Sequence, residues 1–340
     1  MSRRLLTMVG ILSLMFAVSA QAQDFYKGKT IRFIVGFSPG GGFDGYSRAI
    51  ARHIGKHIPG NPNTLVQNMT GAGSLVAANY LYNKAKPDGL TIGNWIGNLI
   101  LQQYLGSKGV KFDAQKFEWI GAPVKIHNVC VFTKGSGITS LEQWQASKTP
   151  VKMGASAPGS TTADIPRLLM KYSNLPIKLV EGFSGVSRIR LAAESGEVSG
   201  GCWSWEGTKP SWGPRIKKGE IAVVLQAVGS PHADLQQVPL AMAVMKSDEG
   251  REMLKASVHD TGAVNRPYSL PPGTPKDRVE ILRKAFDATM QDPAFQAETK
   301  RSRLDLDPLT GAQVQTIVRD FQKIPPSTLA TMKEVLLPKR

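Results

Sequence analysis

Cysteine is nearly absent from this 340-residue chain, with Cys130 and Cys202 as its only two. A cystine-stapled framework is thereby excluded, and a packed apolar core must carry the fold. Two buried thiols acting as small hydrophobes are the expected state, with a Cys130–Cys202 bridge as the alternative. Acidic residues are also in deficit, 26 against 42 lysines and arginines, for a formal charge of +16. In a cytoplasmic chain that balance would raise nucleic acid as a partner. Here the basic residues are scattered, as at Lys27, Lys56, Lys108, Lys171, Lys217 and Arg301, without interleaved aromatics. No platform for a nucleic-acid strand results, and no nucleic-acid partner is expected. A diffuse positive field suits small anions; solubility alone would be served equally well.

Long apolar runs are missing too. The one notable run, Leu5 to Val18, follows Arg3 and Arg4 and precedes Ala20-Gln21-Ala22. It is shorter than the roughly 20 residues that span a bilayer, and its layout is that of a secretory signal peptide cleaved after Ala22. With no cysteine beside the cut to take a lipid, a free periplasmic protein is expected. Ser2-Arg3-Arg4 resembles a twin-arginine start, but the hydrophobic run favours the general secretory route. Cleavage would leave about 318 residues (340 minus 22), beyond the roughly 250 to 300 at which single cores split. Two lobes are expected.

An internal repeat supports that division. Ile31-Arg32-Phe33-Ile34-Val35 leads into Gly36-Phe37-Ser38-Pro39-Gly40-Gly41-Gly42 and a helical segment from about Asp44; Val151-Lys152-Met153 leads into Gly154-Ala155-Ser156-Ala157-Pro158-Gly159-Ser160 and a helical segment from about Thr161. Each is strand, glycine-rich turn, helix. A further strand and small-residue turn follow each helix, Leu65-Val66-Gln67-Asn68-Met69-Thr70-Gly71 in the first and Leu179-Val180-Glu181-Gly182-Phe183-Ser184-Gly185 in the second. Two βαβ units imply two lobes with mainly parallel sheets. Late in the chain, Thr274-Pro275-Lys276-Asp277 predicts a capped helix with Val279, Leu282, Phe286 and Met290 on its buried face. Thr310-Gly311-Ala312-Gln313 predicts a capping box, and Pro325-Pro326 a break before a last helix. These late helices are expected to pack on the first lobe.

The glycine-rich turns sit where strand gives way to helix, the place where open α/β sheets bind ligands. Unpaired N–H groups and the helix dipole can hold a carboxylate or phosphate there without a lysine or arginine. Gly40, Gly41 and Gly42 would let the backbone approach an anion, and Ser160, Thr161 and Thr162 would add hydroxyl donors. Either loop alone could be only a tight turn with Ser160 as an N-cap; the pair points to an anion trap.

Enzyme chemistry finds little support. Gly36-Phe37-Ser38-Pro39-Gly40 matches the G-x-S-x-G nucleophile elbow, but the residue after the serine must donate its N–H to the oxyanion, and Pro39 has none. No Gly-Lys-Ser/Thr follows the glycines, as a P-loop needs, and the G-x-G-x-x-G spacing is absent. No cofactor is expected. His53 and His57 lie four apart without a third ligand, so a solvated helix face is expected and no metal. Trp203 and Trp205 fit either a core or the cleft, where one would select the ligand's carbon skeleton.

Taken together, Val35-Gly36-Phe37-Ser38-Pro39-Gly40-Gly41-Gly42-Phe43-Asp44, Asn68-Met69-Thr70-Gly71-Ala72-Gly73, Lys86-Pro87-Asp88-Gly89, Ala157-Pro158-Gly159-Ser160 and Leu270-Pro271-Pro272-Gly273-Thr274-Pro275 resemble the extracytoplasmic receptors of tripartite tricarboxylate transporters, the Bug family. The resemblance implies a type 2 periplasmic-binding-protein fold, α/β, with two lobes closing on a ligand: residues 24–128 plus 239–340 in lobe 1 and 129–238 in lobe 2. It also implies a monomeric receptor that captures a small organic carboxylate and delivers it to a two-component membrane permease. A sensor that signals to a membrane partner, or an exported hydrolase using Ser38, are the alternatives. In that family a ligand carboxylate is held between first-lobe loops and a second-lobe helix start, partly through water, which marks Ser38, Gly40, Gly41, Asp44, Gly71, Ala72, Gly73, Ser160 and Thr161 here. Ser156 of the second-lobe turn joins this set. The chain departs from many relatives at Glu181-Gly182-Phe183-Ser184, where a tyrosine is usual, and at Cys202-Trp203-Ser204-Trp205, where an acid is usual. Phe183, Ser184 and Trp203 are thus expected at the ligand's variable end, favouring a longer or aromatic carboxylate over citrate.

Overall fold

The computed structural model describes residues 25–337, so the expected signal peptide and its cleavage site lie outside the described residues. Both repeats fold as the pattern predicts. In the first, β1 (Thr30–Val35) runs into α1 (Gly42–Ile54) and returns as β2 (Asn63–Asn68), parallel to β1. Ile31, Phe33, Ile34 and Val35 are all buried, because a central parallel strand is covered on both faces. α2 (Leu75–Asn83) then leads to β3 (Thr91–Asn94), also parallel to β1. After α3 (Asn98–Tyr104) comes β4 (Glu118–Ala122).

The chain then enters a second sheet. β5 (Asn128–Thr133), α4 (Leu141–Gln145) and β6 (Val151–Gly154) precede the second repeat's helix α5 (Thr161–Tyr172), and β7 (Ile177–Val180) returns parallel to β6. α6 (Val186–Glu194), β8 (Gly200–Ser204), α7 (Trp205–Lys217) and β9 (Ile221–Ala227) complete it in the order β7-β6-β8-β5-β9. α8 (Asp248–Leu254) continues through a π turn at Lys255–His259, after which β10 (Tyr268–Leu270) and β11 (Leu309–Thr310) rejoin the first sheet, ordered β11-β4-β10-β3-β1-β2. Both sheets are therefore mixed. The chain changes sheet between Ala122 and Asn128 and again between Ala227 and Tyr268, and we propose the lobe division at 128/129, one residue inside β5, and at 238/239, within the second passage.

The C-terminal helices are α9 (Lys276–Gln291), α10 (Pro293–Ser302), α11 (Gly311–Asp320) and α12 (Pro326–Leu336). Val279, Leu282, Phe286 and Met290 of α9 are buried as expected. Its start differs by one residue: the N-cap is Pro275 and α9 begins at Lys276, while the Thr274 hydroxyl donates to the Pro271 carbonyl at 2.8 Å. Thr310 and Gln313 form the reciprocal capping box at α11. α12 differs from the expectation, since it packs on α5 of the second lobe. One apolar core accordingly runs through both lobes, from Trp95 and Trp119 to Leu169, Leu254 and Leu336.

Cys130 and Cys202 form a disulfide rather than the two free thiols expected. They face one another in the antiparallel β5–β8 register with Cα atoms 4.0 Å apart, a pairing that exists only once two strands separated by 72 positions are laid side by side.

Candidate functional site

The two glycine-rich turns are built alike, each folded back onto an aspartate in the first turn of the helix it precedes. In the first lobe the Gly40 N–H donates to Asp44 at 2.9 Å, and Asn68 Nδ2 and Arg48 Nε donate to the same carboxylate at 2.9 Å. In the second lobe the Gly159 N–H donates to Asp164 at 3.0 Å, with Arg167 3.6 Å away. The N–H groups of Gly42 and Phe43, and of Thr161 and Thr162, have no intrahelical acceptor. The Ser160 hydroxyl is spent on the loop, donating to the Ala157 carbonyl at 2.7 Å and pairing with Thr162 Oγ1 at 2.8 Å, which in turn accepts the Ser156 N–H at 2.9 Å. Ser156 keeps a buried hydroxyl without a partner. Thr161, buried to 6% exposure, takes no part in this network and faces the cleft.

The two aspartates carry opposite electrostatics. Burial works against ionising Asp44, but hydrogen bonds from Arg48, the Gly40 N–H and Asn68 outweigh it and hold the carboxyl below its ordinary value. For Asp164 burial prevails over the Gly159 N–H and Arg167, and its carboxyl is pushed up to about 7. An acid whose folded value is raised stabilises the fold fully below its unfolded value near 3.9, and that contribution is lost as pH rises through the folded value. Thermal melts of Asp164→Asn should therefore gain on the wild type between pH 5 and pH 8, by a few kcal/mol at most. Parallel melting curves over that range would contradict the assignment.

The lobes meet across the second pair of turns. Ala72, Gly73 and Ser74 all have positive φ (46°, 62° and 72°). For the alanine and serine this costs about 1–2 kcal/mol each, partly offset where Ser74 Oγ accepts the Ile96 N–H at 3.0 Å. The turn brings Gly73 against Ala157 and Ser160 of the other lobe. Gly185, at the start of α6, lies so close to Ser38 that a Cβ there would stand 2.7 Å from the Ser38 Oγ. Ser38 and Ser187 share a hydrogen bond of 2.5 Å, and Arg190 donates to the Gly40 carbonyl at 2.9 Å. Between the loops remains a cavity of about 30 Å³ lined by Phe37, Gly41, Gly42, Phe43, Ile96, Ser160, Thr161, Thr162 and Val186. That is room for one or two waters. A larger open groove of about 500 Å³ runs between Thr133–Ser136 and Ala193–Ser199, but its Arg215 is already paired with Glu194 and Glu220.

Of the residues expected from sequence, Gly41, Ser160 and Thr161 line this cavity. Ser38, Gly73 and Ser156 lie beside it in the contacts just described. Gly40 and Asp44 satisfy one another and brace the first loop. Gly71 and Ala72 open the left-handed turn. Phe183 and Ser184 are half-buried in the turn before α6. Trp203 is packed inside the second lobe with Trp212, ring centres 5.5 Å apart, and does not line the cavity. His53 and His57, expected on a solvated face, are instead clamped to Glu298 and Asp292, each at 2.8 Å. Sequence reasoning missed Phe37, Phe43, Ile96 and Val186 in the lining, and Arg266 behind it. The apolar periodicity of helix starts gives no hint of the first four, and Arg266 sits in an irregular passage without a motif.

No family model matches the chain, and no curated protein matches it in sequence. Solved structures do match in shape. The periplasmic binding protein BugD superposes with a TM-score of 0.72 at 17% identity, over 91% of this chain and 98% of its own. MatC from Rhodopseudomonas palustris with bound malate gives 0.70 at 18%, over 91% and 99%. An R. palustris protein with adipate gives 0.69 at 18%, over 91% and 98%. The chain has the two-lobed periplasmic-binding-protein fold. In this chain the turns after β1 and β6, and the helix starts that follow them, line one cavity between the two sheets as the two aspartate-braced loops. No helix among the described residues is long and apolar enough to cross a membrane.

Proposed function

We propose that this chain belongs to the Bug family of solute receptors and that it captures a small organic carboxylate in the periplasm for a two-component membrane permease. The observation that carries the reading is the pair of helix starts, α1 and α5, that present unpaired N–H groups and the Thr161 hydroxyl to one cavity between the lobes. Such a site neutralises a carboxylate with oriented dipoles and needs no metal. Ser38, Gly41, Gly42, Gly73, Ser156, Ser160, Thr161 and Thr162 would form it, with Phe37, Phe43 and Val186 supplying the apolar wall. The bound malate and adipate of the similar structures fit this chemistry. The disulfide fits an oxidising compartment.

Binding rather than catalysis follows from Ser38, whose hydroxyl partner is Ser187 and whose successor, Pro39, offers no oxyanion N–H. The cavity is too small for a whole diacid, so the lobes must part at the passages near residues 123–127 and 228–267 to admit one and close over it. Calorimetric titration with a panel of mono-, di-, tri- and aromatic carboxylates should give one-to-one binding to at least one acid. A flat response across the panel, with a carboxylate receptor responding alongside, would remove the proposal.

A further inference from the structure

Arg266 carries a charge for which the closed lobes hold no partner in contact. Its side chain is 2% exposed; Nη2 donates to Ser204 Oγ, while Nε and Nη1 have no hydrogen-bond partner. Among the described residues it forms no ion pair. The rings of Phe43 and Tyr46 lie 5.3 and 4.9 Å from its Cζ, and such contacts offset only part of the cost of taking a guanidinium out of water. Two helix starts increase the positive potential. A Cβ on Gly42 would stand 2.5 Å from Nη2 and 3.2 Å from Gly207 Cα, so α1 and α7 both begin against this guanidinium. The acids on the same side, Glu206 and Asp305, make no ion pair with it. Glu206 Oε1 accepts from the backbone N–H of His127 and meets its ring Nδ1, both at 3.0 Å, and Asp305 is bound by Lys209 at 2.9 Å. Glu206 Oε2 is buried without a partner and makes no ion pair with Arg266.

Arg266 also stands directly behind the ligand cavity. Gly42 and Phe43 line that cavity and touch the guanidinium, and Gly42 interposes only backbone. Ser204 belongs to β8 of the second sheet, whereas Arg266 lies two residues before β10 of the first. Parting of the lobes would separate the two and leave Nη2 without its partner.

We propose that Arg266 receives a second carboxylate of the ligand and makes the cleft selective for dicarboxylates over monocarboxylates of the same length. This rests on the carboxylate reading above and deepens it. The helix starts take one carboxylate by dipoles; the second meets a full charge able to accept it bidentately.

The test compares two matched pairs by titration calorimetry on the full chain: adipate with hexanoate, and malate with 3-hydroxybutyrate, for wild type, Arg266→Met and Arg266→Lys. The wild type should prefer at least one diacid over its monoacid by tenfold or more. Arg266→Met should bring that ratio close to one while leaving the monoacid affinity in place, and Arg266→Lys should keep part of the preference. The unliganded Arg266→Met protein should melt no lower than wild type, because an unpaired buried charge has been removed. Should that variant not fold, Arg266→Gln, which can still donate to Ser204, carries the same comparison. Retention of the diacid preference in Arg266→Met, or equal loss for monoacid and diacid, would overturn the assignment. Equal binding of monoacids and diacids by the wild type would overturn it too, while leaving the carboxylate reading standing; indifference to every acid would remove both.

Discussion

Replacing Cys130 and Cys202 together by alanine is expected to lower stability by about 4 kcal/mol at 25 °C. The bridge closes a loop of 72 positions, and the chain-entropy relation assigns a loop of that length about 4 kcal/mol through restriction of the unfolded chain. The cysteines are fully buried at the centre of the second sheet, on adjacent strands already joined by the β5–β8 register. The folded state should therefore change little, and the loss should appear as a lower denaturation midpoint with a larger denaturant slope, because the unfolded chain becomes more extended. Unfolding the wild type with and without a strong reductant provides the same comparison without any substitution. A midpoint that does not move under reduction would show that the bridge adds nothing to the fold.

Thr161→Val is expected to weaken carboxylate binding by about 10- to 150-fold while leaving the melting temperature of the unliganded protein near that of wild type. A hydrogen bond to a charged group is worth about 1.5–3 kcal/mol, which is that range in affinity. The threonine hydroxyl is outside the loop's own network, and valine preserves its shape. Ser160→Ala should behave differently. Its hydroxyl supports the Ala157 carbonyl and Thr162, so the substitution should destabilise the loop by about 1 kcal/mol and affect binding only through it. Equal affinity of Thr161→Val and wild type for the best acid would move the ligand away from α5.

Much of this architecture is local in origin and was legible for that reason. The two βαβ repeats, the buried stripe of α9 and the capping box at Thr310 all depend on residues within a few turns of one another. The glycine-rich loops could be placed at the cleft because a parallel strand followed by a helix leaves that end open to ligands. What escaped depends on contacts between remote segments. His53 and His57 read as a solvated pair because Glu298 and Asp292 arrive from α10 and the turn before it. The disulfide required the β5–β8 register, and the seat of α12 on α5 required both lobes. Trp203, expected at the ligand's variable end, packs instead against Trp212 inside the second lobe, since strand alternation alone does not say which face of β8 the helices cover. Asp44 and Gly40 are ligand contacts by resemblance, whereas in the fold the Gly40 N–H donates to Asp44, which also accepts from Arg48 and Asn68; only the hydrogen-bond geometry distinguishes a brace from a free group. Arg266 had no signal at all, being one arginine among scattered basic residues.

The central claim is that the ligand's carboxylate sits between the starts of α1 and α5. It is tested most directly by following backbone amide resonances while titrating whichever acid stabilises the protein most. The amides of Gly41, Gly42, Thr161 and Thr162 should shift together with one saturating curve, and those lining the groove at Thr133–Ser136 should stay in place. Shifts confined to that groove, with the four cleft amides unmoved at saturation, would contradict the account.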